Sequence, residues 1–558
     1  MAYDLLIKNG TIIDGTGAFR RRADVAVKDG KVAEIGRVSG GAAETIDASD
    51  LIVSPGFVDP HTHYDAQICW DPLVSCTSWH GVTTIMMGNC GVGIAPCKPA
   101  AREVAAWDLV NVEAIPFDAL SKGISWEWES FPEFLSAAER RGAGINLAFL
   151  APLTPFRHYV LGDESMEREA TPDETARVAG LLREAVDAGA FGFSTTTLPQ
   201  HIGYQGRPLA CRLASSDELK AYANVLRDAG RGAIEIALTR CAGRVSEDEQ
   251  GLLEFLLDES QRPVTWLAMA SRPDQPEASA DTLRRLEPLI RRGGVPQVLC
   301  KPFVIQMDLR NPFSFADMEL WQPVFNQPLE KQKEFYRNPE FRRAFRAELK
   351  KPHLFQGRWN RVEVLETASP ALKQYERKTV GEIAEQRHED PLDTFFNLAL
   401  EDDLNIQYTM QQYHEEGIQR LISDPRTMIG LSDGGAHVNM LCDAGYCTYL
   451  LGKWVRERQA VPLEFAIKRI TSEPADFYGI RNRGRLLPGK AADVTVFDYD
   501  TVDSAKRAEM RNDLPGGGRR LVMTAQGVEY TVVNGKVLYE HRKHTGDLPG
   551  QVLRSGKD

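Results

Sequence analysis

Two histidines one residue apart, His61 and His63, close an apolar run at Pro55-Gly-Phe-Val-Asp-Pro-His-Thr-His. Side chains at i and i+2 of an extended strand share a face, so one metal ion can reach both imidazoles. If residues 51–57 lead into a barrel strand, the pair sits at its C-terminal end, where barrel active sites form. Histidines so placed point to metal-assisted chemistry.

The elements that must position them can be read from the rest of the chain. With 558 residues, 43% of them hydrophobic and 26% charged, it has the composition of a soluble globular protein with room for two domains. The net charge of -12 and the lack of a basic stripe argue against a nucleic-acid partner. Nine cysteines without framework spacing point to reduced thiols and a cytoplasmic protein. No basic-then-apolar leader opens the chain, and no apolar run reaches the roughly 18 residues of a membrane span. A homo-oligomer stays open.

Asn9-Gly10, Asp29-Gly30 and Asn534-Gly535 each stand between apolar runs and predict hairpins. Both ends of the chain therefore belong to one small β domain, formed by residues 1–54 and 484–558. Between them, apolar runs at 56–63, 82–88, 145–150, 191–195, 233–238, 264–268, 295–301 and 428–433 alternate with helix-like segments such as 171–188 and 217–229. About eight strand–helix alternations predict an α/β fold, a (β/α)8 barrel over 55–483. The long stretch 304–427 is expected to be a helical insertion, with helices over 330–350 and 380–401, beside the barrel mouth.

Four motifs fall on this frame: His61-Thr-His63-Tyr-Asp-Ala-Gln, His80-Gly-Val-Thr-Thr-Ile-Met-Met-Gly-Asn-Cys90-Gly, Ile429-Gly-Leu-Ser-Asp433-Gly-Gly-Ala-His437, and Gly484-Arg-Leu-Leu-Pro-Gly-Lys-Ala-Ala-Asp493. Together they resemble the amidohydrolase superfamily, and within it the N-acyl-D-amino-acid deacylase (D-aminoacylase) branch. The resemblance covers both ends and the barrel; Gly-Asn-Cys90-Gly after His-Gly-Val-Thr-Thr is its most specific part. It implies a distorted TIM-like barrel, a small β-sandwich and zinc at the mouth. It makes His61 and His63 the first-strand ligands. Cys90 stands for the cysteine that replaces a bridging carboxylated lysine, and Asp433 for the aspartate that contacts metal and shuttles a proton. Imidazole, thiolate and carboxylate all suit zinc, which activates water and polarises a carbonyl.

The chain departs from the branch where one histidine each is expected at the ends of strands five and six. Leu238 and Ala268 stand there, and no histidine lies between His201 and His353. One metal is therefore expected rather than two, on His61, His63 and Asp433, with Cys90 near or bound. Glu235, charged in an apolar strand, needs a partner or a cavity. His201, His437 and His158 lie on loops at the expected mouth. Arg157, Arg240, Arg272 and Lys301 fall near predicted strand ends, where a cation could hold a substrate carboxylate. The branch's lysine after strand six is replaced by Ala270.

The chain thus reads as a metal-dependent hydrolase of carbon–nitrogen bonds. Its expected substrate is a small-molecule amide, an N-acyl amino acid or a relative, cleaved by metal-activated water with Asp433 as base and then acid. Two alternatives stay open: the same fold acting on a cyclic amide, an ester or an activated C–C bond, and a metal-free binding or scaffold homologue.

Overall fold

The computed structural model describes residues 3–241, 243–272, 275–351, 353, 355–412 and 414–557. Strands from both ends of the chain share one nine-stranded sheet, in which Val494–Phe497 lies between Ile52–Pro55 and Val528–Val533. Two of the expected hairpins form. Arg21–Lys28 returns as Lys31–Gly36 through Asp29 and Gly30, and Val528–Val533 returns as Lys536–Glu540 through Asn534 and Gly535. All four turn residues have positive φ, as the two-residue hairpin requires. The third does not form. Tyr3–Ile12 runs on as one strand, and Asn9 (φ 63°) marks a register shift between Ile7 and Gly10. The same left-handed preference that makes a turn also makes a bulge, and Gly10 packs so closely on Val53 that a Cβ would lie 2.5 Å from its Cγ2.

Eight parallel strands follow in chain order: β1 (Phe57–Asp59), β2 (Val82–Met87), β3 (Asn146–Phe149 with Ala151–Pro152), β4 (Gly192–Thr196), β5 (Ala233–Ala237), β6 (Val264–Leu267), β7 (Gly294–Val298) and β8 (Met428–Ile429). β1 pairs with β2 and β2 with Asn146–Phe149. Ala151–Pro152 carries the pairing on through β4, β5, β6 and β7 to β8. A parallel bridge between Thr62 and Gly434 joins the segments beyond β1 and β8. Helices between the strands start where sequence chemistry says they should: Pro172–Ala188 and Ser216–Ala229 have capping boxes at Thr171/Glu174 and Ser215/Glu218. The apolar faces of strands and helices meet in one large core.

His80 is buried just ahead of β2, its ring bonded to the Thr448 hydroxyl and the Met523 carbonyl. Burial pushes its pKa down to about 4. Between the ordinary 6.5 and about 4, the unfolded chain takes up a proton that the folded chain refuses, so stability falls as pH falls through that window. The contribution approaches about 3 kcal/mol over the full window. Replacing His80 with glutamine is expected to flatten the pH dependence of the urea midpoint between pH 7 and pH 5.

Residues 304–427 hold helices in both regions where the sequence places them, but are not wholly helical. A three-stranded antiparallel sheet, Phe303–Met307, Gln407–Gln412 and Val362–Glu366, runs through them. The two long helices expected there are each broken in two. Leu329–Arg337 stops before Pro339, and Val380–Arg387 stops before Pro391, because proline begins a helix but cannot sit inside one. These elements enclose their own aromatic core, including Phe315, Trp321, Phe345 and Phe396. Ala114, Ile202 and Met440 also belong to that core, so it presses on the segments that carry Glu113, His201 and His437.

Candidate metal centre

His61 and His63 lie just beyond β1 and are held by neighbours on both sides. Asp59 accepts the His61 amide, Ser432 Oγ donates to the His61 carbonyl, and His63 N donates to Gly434 O at 2.7 Å. That last approach leaves no room at Gly435 (φ +89°), where a Cβ would lie 2.7 Å from the His63 carbonyl oxygen. Beyond β2, Cys90 adopts a left-handed φ of 56°. Its amide donates to Glu235 Oε2 from β5 at 2.7 Å, and the next amide donates to Ser194 Oγ from β4. Asp433, beyond β8, is also left-handed, with φ 46°. Strained backbone of this kind is typical of sites whose side chains must be aimed.

The His61, His63 and Cys90 side chains converge, and Asp433 reaches the two imidazoles. His61 Nε2 lies 3.2 Å from His63 Nε2, 3.2 Å from Asp433 Oδ1 and 3.6 Å from Cys90 Sγ. His63 Nε2 is 3.7 Å from Asp433 Oδ1. The donor atoms of His61, His63 and Cys90 all lie within 4.8 Å of one another. Zinc bonds of about 2.0–2.1 Å to nitrogen and about 2.3 Å to sulfur give tetrahedral edges of about 3.3 Å for N···N and about 3.6 Å for N···S. The spacings of His61 to His63, Asp433 and Cys90 match such edges, and the set His61, His63 and Cys90 is close enough to share one divalent ion, with Asp433 beside the imidazoles.

Charge tells the same story. Asp59, Asp65, Glu113 and Glu235 are all buried around the cluster. Burial raises their carboxyl pKa values to about 7, 6, 7 and 8 respectively. Burial and the Glu235 carboxylate push the Cys90 thiol up. Burial works against the charge of His63, but Glu113 and Asp433 lift its pKa to about 9. Burial also works against the charge of Asp433, yet His61 and His63 hold its carboxyl well below the usual range. This many acidic groups around two imidazoles is a setting that a divalent cation neutralises, reversing the upward shifts.

The remaining sequence candidates divide. Glu235 reaches the cluster: fully buried on β5, it holds the Cys90 turn with one oxygen, and the other has no hydrogen-bond partner among the described residues. His201 and His437 are close enough to each other, to His63 and to Asp433 for their charges to interact; burial lowers their pKa values to about 3 and about 4. His437 lies against Phe313 of the 304–427 segment, ring centroids 4.6 Å apart.

Arg157 and Lys301 have other work, which corrects their reading as substrate anchors. Arg157 is fully buried, pairs with Glu218 through two nitrogens and donates to the carbonyls of Ser165, Ala210 and Arg168. Lys301 is buried, 2.8 Å from Asp443, and donates to the Cys442 carbonyl. Arg272 sits on the turn after β6, bridged to Gln275, with a guanidinium nitrogen 3.9 Å from Cys241 Sγ. His158 bonds with Ser165 and Gly162.

One residue escaped the sequence reading. Glu113, the last residue of helix Arg102–Glu113, is buried with Oε1 3.1 Å from His63 Nδ1. That contact sets a carboxylate beside Nδ1 at ion-pair distance and leaves Nε2 facing the cluster. A signal was present: Glu113 is an acid in the apolar run Leu109-Val-Asn-Val-Glu-Ala-Ile, as Glu235 is in its strand. Replacing Glu113 with glutamine is expected to weaken zinc affinity roughly 10- to 100-fold in a chelator competition, as for other groups that orient a ligand.

Comparison with known proteins gives one consistent result. The sequence pattern described as amidohydrolase family matches residues 44–296 and 339–539. The chain is 27% identical over 577 residues to the D-aminoacylase of Alcaligenes xylosoxydans xylosoxydans, covering 99% of this chain and 97% of that protein. It is 27% identical over 562 residues to an N-acyl-D-glutamate deacylase of the same organism, covering 99% and 96%. Among solved structures, the N-acyl-D-glutamate deacylase of Bordetella bronchiseptica, complexed with zinc and a phosphonate inhibitor, superposes with a TM-score of 0.70 at 25% identity, covering 100% of both chains.

Proposed function

Because the chain belongs to the amidohydrolase family and is a hydrolase of carbon–nitrogen bonds other than peptide bonds, related to the D-aminoacylases, we propose that it deacylates an N-acyl amino acid or a closely related amide with one zinc ion. The observation that carries this reading is the convergence of the His61, His63 and Cys90 donor atoms, with the Asp433 carboxylate against both imidazoles. We read the closed run of parallel pairings as the distorted (β/α)8 barrel over 55–483. Residues 304–427 are its insertion, and 1–54 with 484–558 are the β-sandwich.

His61, His63 and Asp433 would hold the ion, with Cys90 close by, an arrangement of three protein ligands that keeps a position for water. Bound there, zinc supplies Lewis acidity to the substrate carbonyl and to water. Asp433, anionic and at the open end of the site with its side chain 19% exposed, accepts a proton from the attacking water and returns it to the departing nitrogen. Glu113 keeps His63 Nε2 directed at the donors, and Glu235 keeps the Cys90 turn in place. His201 and His437, neutral by virtue of burial, line the approach on the Asp433 side.

A second reading, an amide without a carboxylate such as a cyclic one, is favoured by the internal pairing of Arg157 and Lys301, which removes two anchors for an amino-acid carboxylate. Zinc-loaded protein assayed against N-acyl-D- and L-amino acids, cyclic amides and esters separates the two. Release of amino acid from an N-acyl-D-amino acid supports the first. Turnover confined to cyclic amides or esters selects the second. Protein purified without chelator is expected to carry about one metal per chain. A content near two would overturn the single-ion reading, and less than about 0.2, unchanged by added zinc, would favour a non-catalytic homologue.

A further inference from the structure

On the Asp433 side of the metal cluster, two cysteines distant in sequence meet. Cys76 lies on the loop after β1 and Cys442 on the loop after β8, with their sulfurs 3.6 Å apart. We propose that Cys76 and Cys442 are an oxidation site, a thiol pair that a small hydroperoxide converts to a disulfide linking the two loops that flank Asp433.

The surroundings single out one sulfur as the nucleophile. Cys76 Sγ accepts from the Met523 amide at 3.4 Å. The Arg520 guanidinium is anchored beside it, donating to the Ser75 carbonyl and hydroxyl and paired with Asp513. Hydrogen bonding from Cys442, with help from Met523 N–H and Arg520, brings the Cys76 thiol down to about 7, while the same contact and burial push Cys442 up. A thiolate held by donors and a guanidinium is the reactive partner of such a pair. Cys76 is buried and Cys442 only half-buried. Both line a cavity of about 20 Å³ with Tyr64, Asp433, Gly434 and Arg520. That space is enough for a molecule near the size of water.

The chemistry balances with the hydroperoxide as oxidant. The Cys76 thiolate attacks the terminal oxygen; an S–O bond forms, the O–O bond breaks, and an alcohol (water, from hydrogen peroxide) leaves with a proton. The Cys442 sulfur then attacks the Cys76 sulfur. An S–S bond forms, the S–O bond breaks, and water leaves with the remaining protons. Two electrons pass from the thiols to the hydroperoxide. The sulfurs must close from 3.6 Å to about 2.05 Å, which draws the two loops together. They already touch beside Asp433, where a Cβ on Gly434 would lie 2.8 Å from both Thr77 Oγ1 and Tyr64 OH.

Hydrogen peroxide titration of the intact chain, followed by thiol counting and non-reducing peptide mapping, tests this. Two of the nine thiols should disappear together, with a Cys76–Cys442 linked peptide that dithiothreitol cleaves, and amide exchange across 431–442 should slow. Cys442→Ser should leave a dimedone-reactive sulfenic acid on Cys76, and Cys76→Ala should slow oxidation of Cys442 at least tenfold. Retention of all nine thiols, a linkage between other cysteines, or unchanged oxidation of Cys442 in Cys76→Ala overturns the proposal. The linked peptide is read without any assay of turnover.

Discussion

Asp433→Asn is expected to lower turnover by roughly 10²- to 10⁴-fold, the range set by losing a general acid–base group. The amide keeps the shape of the carboxylate and one oxygen donor, so the His61–His63–Cys90 set should still hold metal. Metal analysis and steady-state kinetics on one preparation check both halves: kcat falls while the metal per chain stays near the wild-type figure. Equal loss of metal and turnover would make Asp433 a ligand first and a proton carrier second. Unchanged turnover would remove it from the mechanism. His61→Ala makes the contrast, because His61 Nε2 is the atom to which the other three donors are all measured as near neighbours; here metal and turnover should fall together.

The second large effect concerns stability rather than chemistry. Arg157 and Glu218 form an ion pair with neither side chain exposed. Glu218 also accepts from the amides of Ala170 and Ser215 and from the Tyr222 hydroxyl. Arg157→Met leaves a buried carboxylate without its cation and three carbonyls without their donor. The expected cost is about 3–5 kcal/mol, the usual penalty for breaking a buried pair from one side. It should register as a lower urea midpoint. Pairing the change with Glu218→Leu should recover much of the loss, since replacing both charges with apolar groups is far milder. A single variant as stable as the wild type would free Arg157 for a role at the metal cluster.

Much of the frame was legible because apolar runs bounded by turn residues report strands directly: β1 to β8 each overlap one of the runs read from sequence. The helices Pro172–Ala188 and Ser216–Ala229 likewise overlap the helix-like segments read at 171–188 and 217–229. What could not be read was tertiary. Asn9-Gly10 announces a left-handed residue but not whether the chain reverses there, and the neighbouring strand Ile52–Pro55 decides for a bulge. The strand Gln407–Gln412 is largely polar and takes its place from partners about 50 and 100 residues away. At the site, His61, His63, Cys90 and Asp433 were visible because motif and chemistry agree. Glu113 was not, since an acid in an apolar run marks a buried charge, while its partner lies 50 positions earlier. Arg157 and Lys301 were misread because sequence shows where a charge is, not which carboxylate has already claimed it.

The sheet that mixes the two ends of the chain has a consequence for how the protein is made. Ile52–Pro55 leaves the ribosome early, but one of its flanking partners is Val494–Phe497. At about 5–20 residues per second, that edge waits roughly 20–90 s for its neighbour. During that time a short, largely apolar strand edge is open to other nascent chains. Production of this protein should therefore depend more on chaperone supply and on the pace of translation than its finished, well-buried core would suggest.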